Sequence, residues 1–203
     1  MKKILTLLIA FCAVTAVSAQ LRTLKPVDIF LVTDANLDAV DYRIMDFQDK
    51  YDESVVGISA SSYLNPQGSN TYYPSCVADC DCRTGWTEGV AGYGIGQYIK
   101  YEFDMRSPRF TTVYILNGYG KNNKSWNANS RVKKLKVYHN DRPIAILELQ
   151  DSRSVQAFDL GLIGRIGNGP TWSIKFEILE VYPGTQYQDT VISEIYFGVA
   201  DRR

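Results

Sequence analysis

The feature that most constrains this chain is a series of short segments in which apolar and polar residues alternate. Ile99, Tyr101 and Phe103 alternate with polar neighbours, and Trp172–Glu180 repeats the pattern. A period of two places every second side chain on the same face of a strand, so each segment predicts a strand with one buried face. The segments between Val55 and the end of the chain show no strong helical period. The sequence therefore predicts an all-β fold.

Strand-like segments follow one another along the chain, and turn residues separate them. Eight are predicted: Val55–Ser59, Gln97–Asp104, Thr111–Asn117, Arg131–His139, Pro143–Leu149, Val155–Leu160, Trp172–Glu180 and Val191–Phe197. Asn140 and Asp141 predict a tight turn between two of them. This arrangement indicates an antiparallel β-sandwich. The two longest connections are Ser61–Gly96 and Gly118–Ser130, and long loops on a rigid sandwich are the usual place for binding residues.

The first residues predict a removable export signal. Met1–Lys3 is cationic, Ile4–Val17 is apolar but short for a membrane span, and small residues end at Ala19. This order is typical of a signal peptide over residues 1–19, although an uncleaved anchor is the alternative. We therefore expect a secreted or periplasmic protein with no membrane span after cleavage.

The remaining chain divides into a lead-in segment, residues 20–54, and a β-sandwich domain, residues 55–203. The lead-in is too short to carry a core of its own. Within it, Asp34–Tyr51 fits either a short helix or an irregular segment, and the pattern does not decide between them.

Charge and composition exclude several classes of function. The 203 residues include 22 Lys and Arg and 22 Asp and Glu, and loss of two Lys with the signal leaves 20 − 22 = −2. A near-neutral chain lacks the basic surface that nucleic acid or an anionic membrane requires, so we expect no nucleic-acid partner. A single His argues against His-based metal or acid–base chemistry.

Three cysteines, Cys76, Cys80 and Cys82, remain after the signal. Export makes a disulfide plausible, and the spacing favours Cys76 paired with Cys80 or with Cys82, which leaves one thiol over. A thiolate metal site is the alternative, but its fourth ligand is not evident from the sequence.

Several short motifs, in this order, resemble the discoidin (F5/8 type C, or galactose-binding-like) jelly-roll superfamily. They are Ala60–Ser62, Ala78–Trp86 and Ile192–Ile195. A second set is similar to the NADase-type glycan-binding (translocation) domain family, namely Trp86–Val90, Gly92, Gly94–Gly96, Asn117–Tyr119, Lys121, Asn129, Arg131–Lys133 and Val181–Thr185. The resemblance runs from about Ser59 to Phe197 and implies a jelly-roll sandwich that binds a carbohydrate or cell-surface ligand without catalysis. The superfamily carries Gly where this chain has Cys80, so the shape of that loop is open, and a disulfide is one possible replacement.

The resemblance also implies a structural Ca²⁺ site. Its predicted ligands are Asp79, Asp81, Thr84 and Glu194. Carboxylate, hydroxyl and carbonyl oxygens are the ligands that Ca²⁺ prefers. The alternative is that these groups only satisfy turns and backbone amides.

The predicted ligand surface centres on Trp126, which lies in a polar segment without apolar neighbours. An exposed Trp ring can stack on a pyranose while nearby polar groups bind its hydroxyls. The alternatives are that Trp126 folds back onto the sandwich and that Arg131 pairs with Glu88. The complete predicted set is Trp126, Tyr119, Asn117, Lys121, Asn127, Arg131, Glu88 and Tyr182.

No catalytic residues are predicted. Asp79 and Asp81 are too close in one turn to act as a glycosidase pair. A protein-binding envelope adaptor is the first alternative function, and a NAD-related enzyme is the second.

Overall fold

The computed structural model describes residues 21–200, so the predicted signal peptide lies outside the described residues. Eleven strands and two helices make up the fold. The strands are β1 Thr23–Leu24, β2 Asp28–Leu31, β3 Val55–Ala60, β4 Trp86–Thr87, β5 Tyr98–Asp104, β6 Phe110–Asn117, β7 Ser130–His139, β8 Arg142–Glu148, β9 Ser154–Ile163, β10 Thr171–Tyr182 and β11 Thr190–Val199. The helices are α1 Leu37–Gln48 and α2 Asn123–Ala128, with single 3₁₀ turns at Asp52–Ser54 and Pro74–Val77.

The strands form one hydrogen-bonded path that folds over itself. Its order is β2-β9-β6-β11-β7-β10-β5-β3, with β4 beside β11, β8 beside β7 and β1 beside β8. β11 and β7 pair in parallel only at Thr190–Ser130 and Val191–Arg131. Beyond this junction the two halves face each other, since the rings of Phe103 in β5 and Phe197 in β11 lie 5.5 Å apart. The fold is therefore the predicted all-β jelly-roll sandwich, and all eight predicted strands are present.

The core follows directly from the alternation in the sequence. Ile99, Tyr101 and Phe103 point inward from β5 and are buried, as are Ile174 and Phe176 from β10. Aromatic rings fill the space between the layers because each buries a large area at little conformational cost. The hydroxyl of Tyr101 donates to the Ile195 carbonyl across the core, at 2.6 Å. The predicted turn at Asn140 and Asp141 also forms, and both residues have positive φ.

Helix α1 decides the question that the sequence left open for Asp34–Tyr51. Leu37, Val40 and Ile44 lie on one face of α1 and are buried. They pack on the outer face of the β9-β6-β11 layer against Leu116, Val155 and Tyr196, and Cys82 completes this second cluster. Residues 21–54 therefore contribute strands and a helix to the sandwich rather than a detached arm.

The long connections gather at one end of the sandwich, which we call the loop end. It comprises the segments 61–97, 118–129, 149–153 and 183–189. Segments 49–54, 105–109 and 164–170 lie at the opposite end. All twelve predicted site residues lie on or beside the loop end. Among residues 21–200, no helix combines the length and apolar character that crossing a bilayer requires.

Candidate binding surface and calcium loop

The loop Asp79–Thr84 brings several oxygen atoms together. The Thr84 hydroxyl lies 2.7 Å from Asp79 Oδ2, 3.2 Å from the Asp81 carbonyl and 3.5 Å from the Cys76 carbonyl. The other carboxylate oxygen of Asp79 accepts from the Asp81 amide at 3.2 Å. The loop therefore directs carboxylate, carbonyl and hydroxyl oxygens toward a common region.

Glu194 of β11 lies beside this loop and is fully buried. Neither of its carboxylate oxygens makes a hydrogen bond of good geometry with the described residues, although the Asp79 carboxyl and the Asp81 backbone lie close to them. Burial, and then the neighbouring carboxylate of Asp79, raise the pKa of Glu194 well above its usual value. Partial burial likewise raises the pKa of Asp79, although this residue remains exposed to solvent on one side. Two adjacent carboxylates without a cation are costly when ionised, so this pair needs either a proton or a bound cation.

Asp81 differs from the prediction. Its carboxylate accepts from the Arg83 amide at 2.9 Å and lies 3.4 Å from the Arg83 guanidinium. Only the Asp81 carbonyl approaches Thr84, so a cation here would meet the backbone of Asp81 rather than its side chain. No three His, Cys, Asp or Glu side chains within residues 21–200 group closely enough to hold a metal. The available set is two carboxylates, one hydroxyl and backbone carbonyls, which is a donor set suited to Ca²⁺.

The structure does not contain the predicted disulfide within residues 21–200. Cys76, Cys80 and Cys82 are all free thiols. Their side chains occupy different surroundings: Cys76 lies near the Thr71 hydroxyl, Cys80 donates to Gln48 Oε1 at 3.0 Å, and Cys82 is buried beneath α1. Burial raises the pKa of all three thiols, to about 12 for Cys80.

Cys80 adopts the backbone conformation that glycine provides most readily. Its φ is 58°, in the left-handed region that side chains other than Gly adopt at a cost of roughly 1 kcal/mol. The contact with Gln48 ties the loop to α1. Arg83 adds a second tie, because its guanidinium contacts Asp41 at 2.8 Å and also Asp38. The loop is thus held against a helix rather than closed by a disulfide.

Trp126 is not an open platform. It lies in α2, within the predicted loop Gly118–Ser130, and only 8% of its surface is exposed. Its indole nitrogen donates to the Asn117 carbonyl at 2.9 Å, and the Arg131 guanidinium covers the ring at 4.5 Å. The polar sequence around Trp126 misled the prediction because one short helix turns the ring inward. Trp126 therefore supports the loop from beneath.

Arg131, Asn117 and Glu88 are also structural. Arg131 pairs with Asp151 through two hydrogen bonds of 3.0 and 2.9 Å, not with Glu88 as the alternative proposed. The buried Glu88 carboxylate accepts from the amides of Val90 and Thr190. Asn117 is buried, and its side chain bonds both the amide and the carbonyl of Val132. These three residues fasten the loops and are not available to a ligand.

Of the remaining predicted ligand residues, three have side chains that solvent can reach at the loop end, and the fourth, Tyr182, stabilises a loop. Lys121 and Asn127 are exposed and Tyr119 is half-buried. Asn127 donates to the Asn123 carbonyl at 2.8 Å. The Tyr182 hydroxyl donates to the Leu149 carbonyl at 3.0 Å, which matches the alternative that it holds its loop in place.

The exposed aromatic surface at the loop end consists of tyrosines, which we call the tyrosine rim. Its members are Tyr63, Tyr72, Tyr73, Tyr119 and Tyr187. Tyr63, Tyr73 and Tyr187 are each exposed over at least 41% of their surface. The Tyr63 and Tyr73 rings meet edge to face at 5.4 Å.

The second half of the rim brings distant loops together. Burial raises the pKa of Tyr119, and the nearby Tyr72 hydroxyl adds to the shift. Burial also raises the pKa of Tyr72, with contributions from Asp189 and Tyr187. The Gln186 amide donates to the Tyr187 hydroxyl at 2.8 Å. Sequence reasoning missed Tyr63, Tyr72 and Tyr73, although 14 Tyr and the run Thr71-Tyr72-Tyr73-Pro74 were a usable signal.

An open groove of about 1400 Å³ lies at the opposite end, beside Tyr51. It contains none of the predicted site residues. Its lining includes the acidic residues Asp52 and Glu53 and the cationic residues Arg106 and Arg109.

Comparison with known proteins gives a family match. The family model for the NAD glycohydrolase translocation F5/8 type C domain matches residues 50–198. No curated protein matches the sequence.

Two solved structures match this chain. One is the arabinofuranosyltransferase AftD from Mycobacteria, at 16% identity and a TM-score of 0.50, covering 72% of this chain. The match spans 11% of that chain, so it concerns a small part of a large enzyme. The other is the family 32 carbohydrate-binding module of EndoD from Streptococcus pneumoniae, at 10% identity and a TM-score of 0.46, covering 72% of this chain and 100% of that one.

Proposed function

Because this chain belongs to the NAD glycohydrolase translocation F5/8 type C domain family, we propose that it is an exported, non-catalytic binding module. The ligand is a carbohydrate or another cell-surface group, held by the tyrosine rim at the loop end. The observation that carries this proposal is the group of exposed tyrosine rings on loops that are themselves firmly tied to the sandwich.

The chemistry of the rim suits a neutral sugar. A Tyr ring offers an apolar face for the C–H side of a pyranose and a hydroxyl for hydrogen bonding. Lys121, Asn127 and Gln186 supply exposed polar groups on the same end of the molecule. Beneath them, Trp126 and Arg131 fix the loops, so less entropy is lost when a ligand binds.

The titratable groups favour binding over catalysis. His139 is buried at the opposite end, where its ring contacts the Gly164 carbonyl at 2.7 Å and burial lowers its pKa. Three carboxyl groups have a raised pKa: Glu194 and Glu88 are buried within the protein, and Asp79 belongs to the loop Asp79–Thr84. None of the three is a member of the tyrosine rim.

A glycan array with residues 20–203, run in Ca²⁺ and in EDTA, tests the proposal. We expect binding to a narrow set of glycans. Tyr187→Ala and Tyr73→Ala should each weaken binding of a selected glycan by about tenfold, the equivalent of ~1.4 kcal/mol. Tyr42→Ala is the matched control, because Tyr42 is exposed on α1 and outside the rim.

A blank array from correctly folded protein would overturn the carbohydrate ligand. The next measurement would then be capture of protein partners, as the adaptor function requires. Equal loss of binding in Tyr42→Ala would place the ligand elsewhere on the molecule.

We also propose that Asp79, Thr84, Glu194 and the Asp81 carbonyl hold a structural Ca²⁺. The buried carboxylate of Glu194, which lacks a hydrogen bond of good geometry, is the observation that supports this site. A bound Ca²⁺ would supply positive charge to oxygen ligands and take no part in a reaction. By linking these ligands, the ion would hold the loop Asp79–Thr84 against β11, directly beneath the loop end.

Melting temperature in Ca²⁺ and in EDTA tests the site. We expect Ca²⁺ to raise the melting temperature of the natural sequence, because the ion binds only the folded state. Glu194→Gln and Asp79→Asn should abolish that rise. Asp81→Asn should keep most of it, because the Asp81 carboxylate faces Arg83. Absence of any rise in the natural sequence would refute the calcium site.

A further inference from the structure

A small cleft lies at the opposite end of the sandwich, beside the larger groove. Its volume is about 180 Å³, and we call it the arginine cleft. Arg109, His139 and Arg165 supply its polar side chains, Leu162, Ile163 and Ile166 supply aliphatic ones, and a glycine completes the lining. The lining therefore contains two guanidinium groups and an imidazole but no Asp or Glu from residues 21–200. Guanidinium groups bind pairs of phosphate or carboxylate oxygens, so this composition favours a negatively charged ligand.

The strands hold the arginine cleft together around Gly164. Phe110 of β6 pairs with Ile163 of β9, so Arg109 and Gly164 lie side by side just beyond the paired residues. A Cβ atom built on Gly164 would lie only 2.9 Å from Arg109 Cγ, which shows that the stem of Arg109 packs closely over this glycine. The Arg109 carbonyl accepts from the Ala200 amide at 2.8 Å. The position of Arg109 is therefore fixed by contacts on both its backbone and its stem.

The imidazole of His139 forms a rigid wall of the arginine cleft. Its Nε2 atom lies 2.7 Å from the Gly164 carbonyl, and because a carbonyl only accepts, Nε2 carries the proton and donates. The ring is 7% exposed and meets Trp172 edge to face at 5.5 Å, so it has little freedom to turn. Nδ1 makes no hydrogen bond with the described residues, which leaves this ring atom for a ligand.

The two guanidinium groups of the arginine cleft are not neutralised by carboxylates of residues 21–200. Neither Arg109 nor Arg165 forms an ion pair there. Arg165 Nε donates to the Gly167 carbonyl at 3.0 Å, and its two terminal nitrogens remain for other partners. The neighbouring Arg106 differs, because it pairs with Asp104 at 2.7 Å. Arg109 also lines the larger groove, but the carboxylates of the described residues in that groove lie beyond ion-pair distance from it.

Aliphatic side chains flank the charged groups of the arginine cleft. Leu162 is 58% exposed and Ile166 is 62% exposed, whereas Ile163 between them is buried. Single exposed aliphatic residues are common, but two of them beside uncompensated guanidinium groups suit a ligand that carries both a negative charge and hydrocarbon.

We propose that the arginine cleft binds an amphiphilic oxyanion, that is, a phosphate or carboxylate group joined to an aliphatic chain. Arg109, Arg165 and the free nitrogen of His139 hold the anionic group. Leu162 and Ile166 contact the chain. The arginine cleft and the tyrosine rim lie at opposite ends of the sandwich, so this is a second binding site that does not depend on the carbohydrate ligand.

An NMR titration of residues 20–203 with hexyl phosphate and with hexanoate tests the site. Chloride keeps the ionic strength constant, because screening alone weakens ionic contacts. We expect the backbone amide resonances of Gly164 and Arg165 to shift and to saturate. Hexyl phosphate should bind about tenfold more tightly than inorganic phosphate, since burial of roughly two methylene groups gives a factor of that size. Hexanol, which has the chain without the charge, should leave these resonances unchanged.

Variants assign the contacts to single side chains. Arg109→Ala and Arg165→Ala should each raise the dissociation constant of the anionic probe by at least about tenfold, because each removes a charged donor. His139→Gln keeps an amide that can donate to the Gly164 carbonyl and removes Nδ1, so it should weaken binding by about threefold. Arg142→Ala is the matched control: Arg142 is exposed and lies opposite His139 on β8, but it is outside the cleft lining.

Melting temperatures close to that of the natural sequence show that the variants are folded. Unchanged resonances with both anionic probes overturn the proposal. Equal weakening by Arg142→Ala also overturns it, because binding would then follow net charge rather than the cleft. Equal affinity for hexyl phosphate and inorganic phosphate overturns the amphiphilic ligand. Tyr187→Ala should bind hexyl phosphate like the natural sequence, and a blank glycan array would leave this titration unaffected, so the two proposals can fail separately.

Discussion

At the scale of single residues, Cys80 shows how a residue with a side chain can occupy a backbone conformation that favours glycine. The superfamily pattern has Gly at this position, and the sequence left open whether the loop survives without it. Cys80 adopts the left-handed conformation itself, and its side chain contacts Gln48 of α1. The conformational cost is therefore offset by a contact that glycine cannot make.

Trp126 and Tyr187 give opposite predictions for substitution by Ala. Trp126 is buried and its indole nitrogen is bonded, so Trp126→Ala should lower the free energy of unfolding by about 3 kcal/mol. Tyr187 is 46% exposed, so Tyr187→Ala should change the free energy of unfolding by less than about 0.5 kcal/mol. Urea denaturation measures both values.

The same pair separates stability from binding. Tyr187→Ala should bind the ligand more weakly and keep its stability. Trp126→Ala should bind more weakly only to the extent that the loop containing residue 126 becomes less ordered. If Trp126→Ala proved as stable as the natural sequence and failed to bind, the ring would be a ligand platform after all. That outcome would restore the original interpretation of the polar loop.

At the scale of elements, the predicted strands were confirmed, α1 corresponds to one of two alternatives that the sequence left open, and α2 was not predicted. Alternation identifies β5 and β10 because each has one buried face, and that pattern is local in sequence. Helix α1 has a narrow apolar stripe, so Asp34–Tyr51 could not be assigned. Helix α2 is shorter and polar, and its one buried residue, Trp126, has no apolar neighbour in sequence to signal a buried face.

Helix α1 predicts a test of how far the folding unit extends. Ile44 is fully buried against the outer face of the sandwich, while Met45 beside it is exposed. Ile44→Ala should lower the free energy of unfolding by about 2–4 kcal/mol through loss of burial and the cavity that remains. The transition should stay single, with an unchanged dependence on urea, because α1 unfolds with the sandwich.

Met45→Ala is the matched control for that test. It removes a side chain of similar size from the same helix, and we expect a change below about 0.5 kcal/mol. A separate early transition in Ile44→Ala would instead show that α1 detaches on its own. Residues 20–54 would then be an independent lead-in, as the sequence predicts.

At the scale of the whole molecule, the candidate site depends on contacts that no local pattern records. The sequence placed the candidate residues on the long connections, and the structure gathers those connections at one end of the sandwich. It could not show which side chains face outward. Tyr72, Tyr119 and Tyr187 come from three different loops, and Arg131 meets Asp151 rather than Glu88. Such pairings are set by the packing of loops that lie far apart in sequence.

The buried carboxylate of Glu194 should govern how the stability of the whole protein depends on pH. Its pKa is raised in the folded state, so the folded state binds more protons than the unfolded state above about pH 4.3. In EDTA, the free energy of unfolding should therefore fall as the pH rises, by up to about 1.4 kcal/mol per pH unit, until the folded pKa is passed. Urea denaturation at a series of pH values measures this slope.

The variant Glu194→Gln distinguishes the pH dependence that comes from Glu194 from that of the other titratable groups. Gln has nearly the shape of a protonated Glu and carries no charge, so the variant should lose most of the decline and be the more stable protein at neutral pH in EDTA. If the proposed site binds Ca²⁺, the ion should flatten the decline in the natural sequence as well, since it would replace the proton between Glu194 and Asp79. A flat or rising profile for the natural sequence in EDTA would mean that Glu194 is stabilised as a carboxylate by another group.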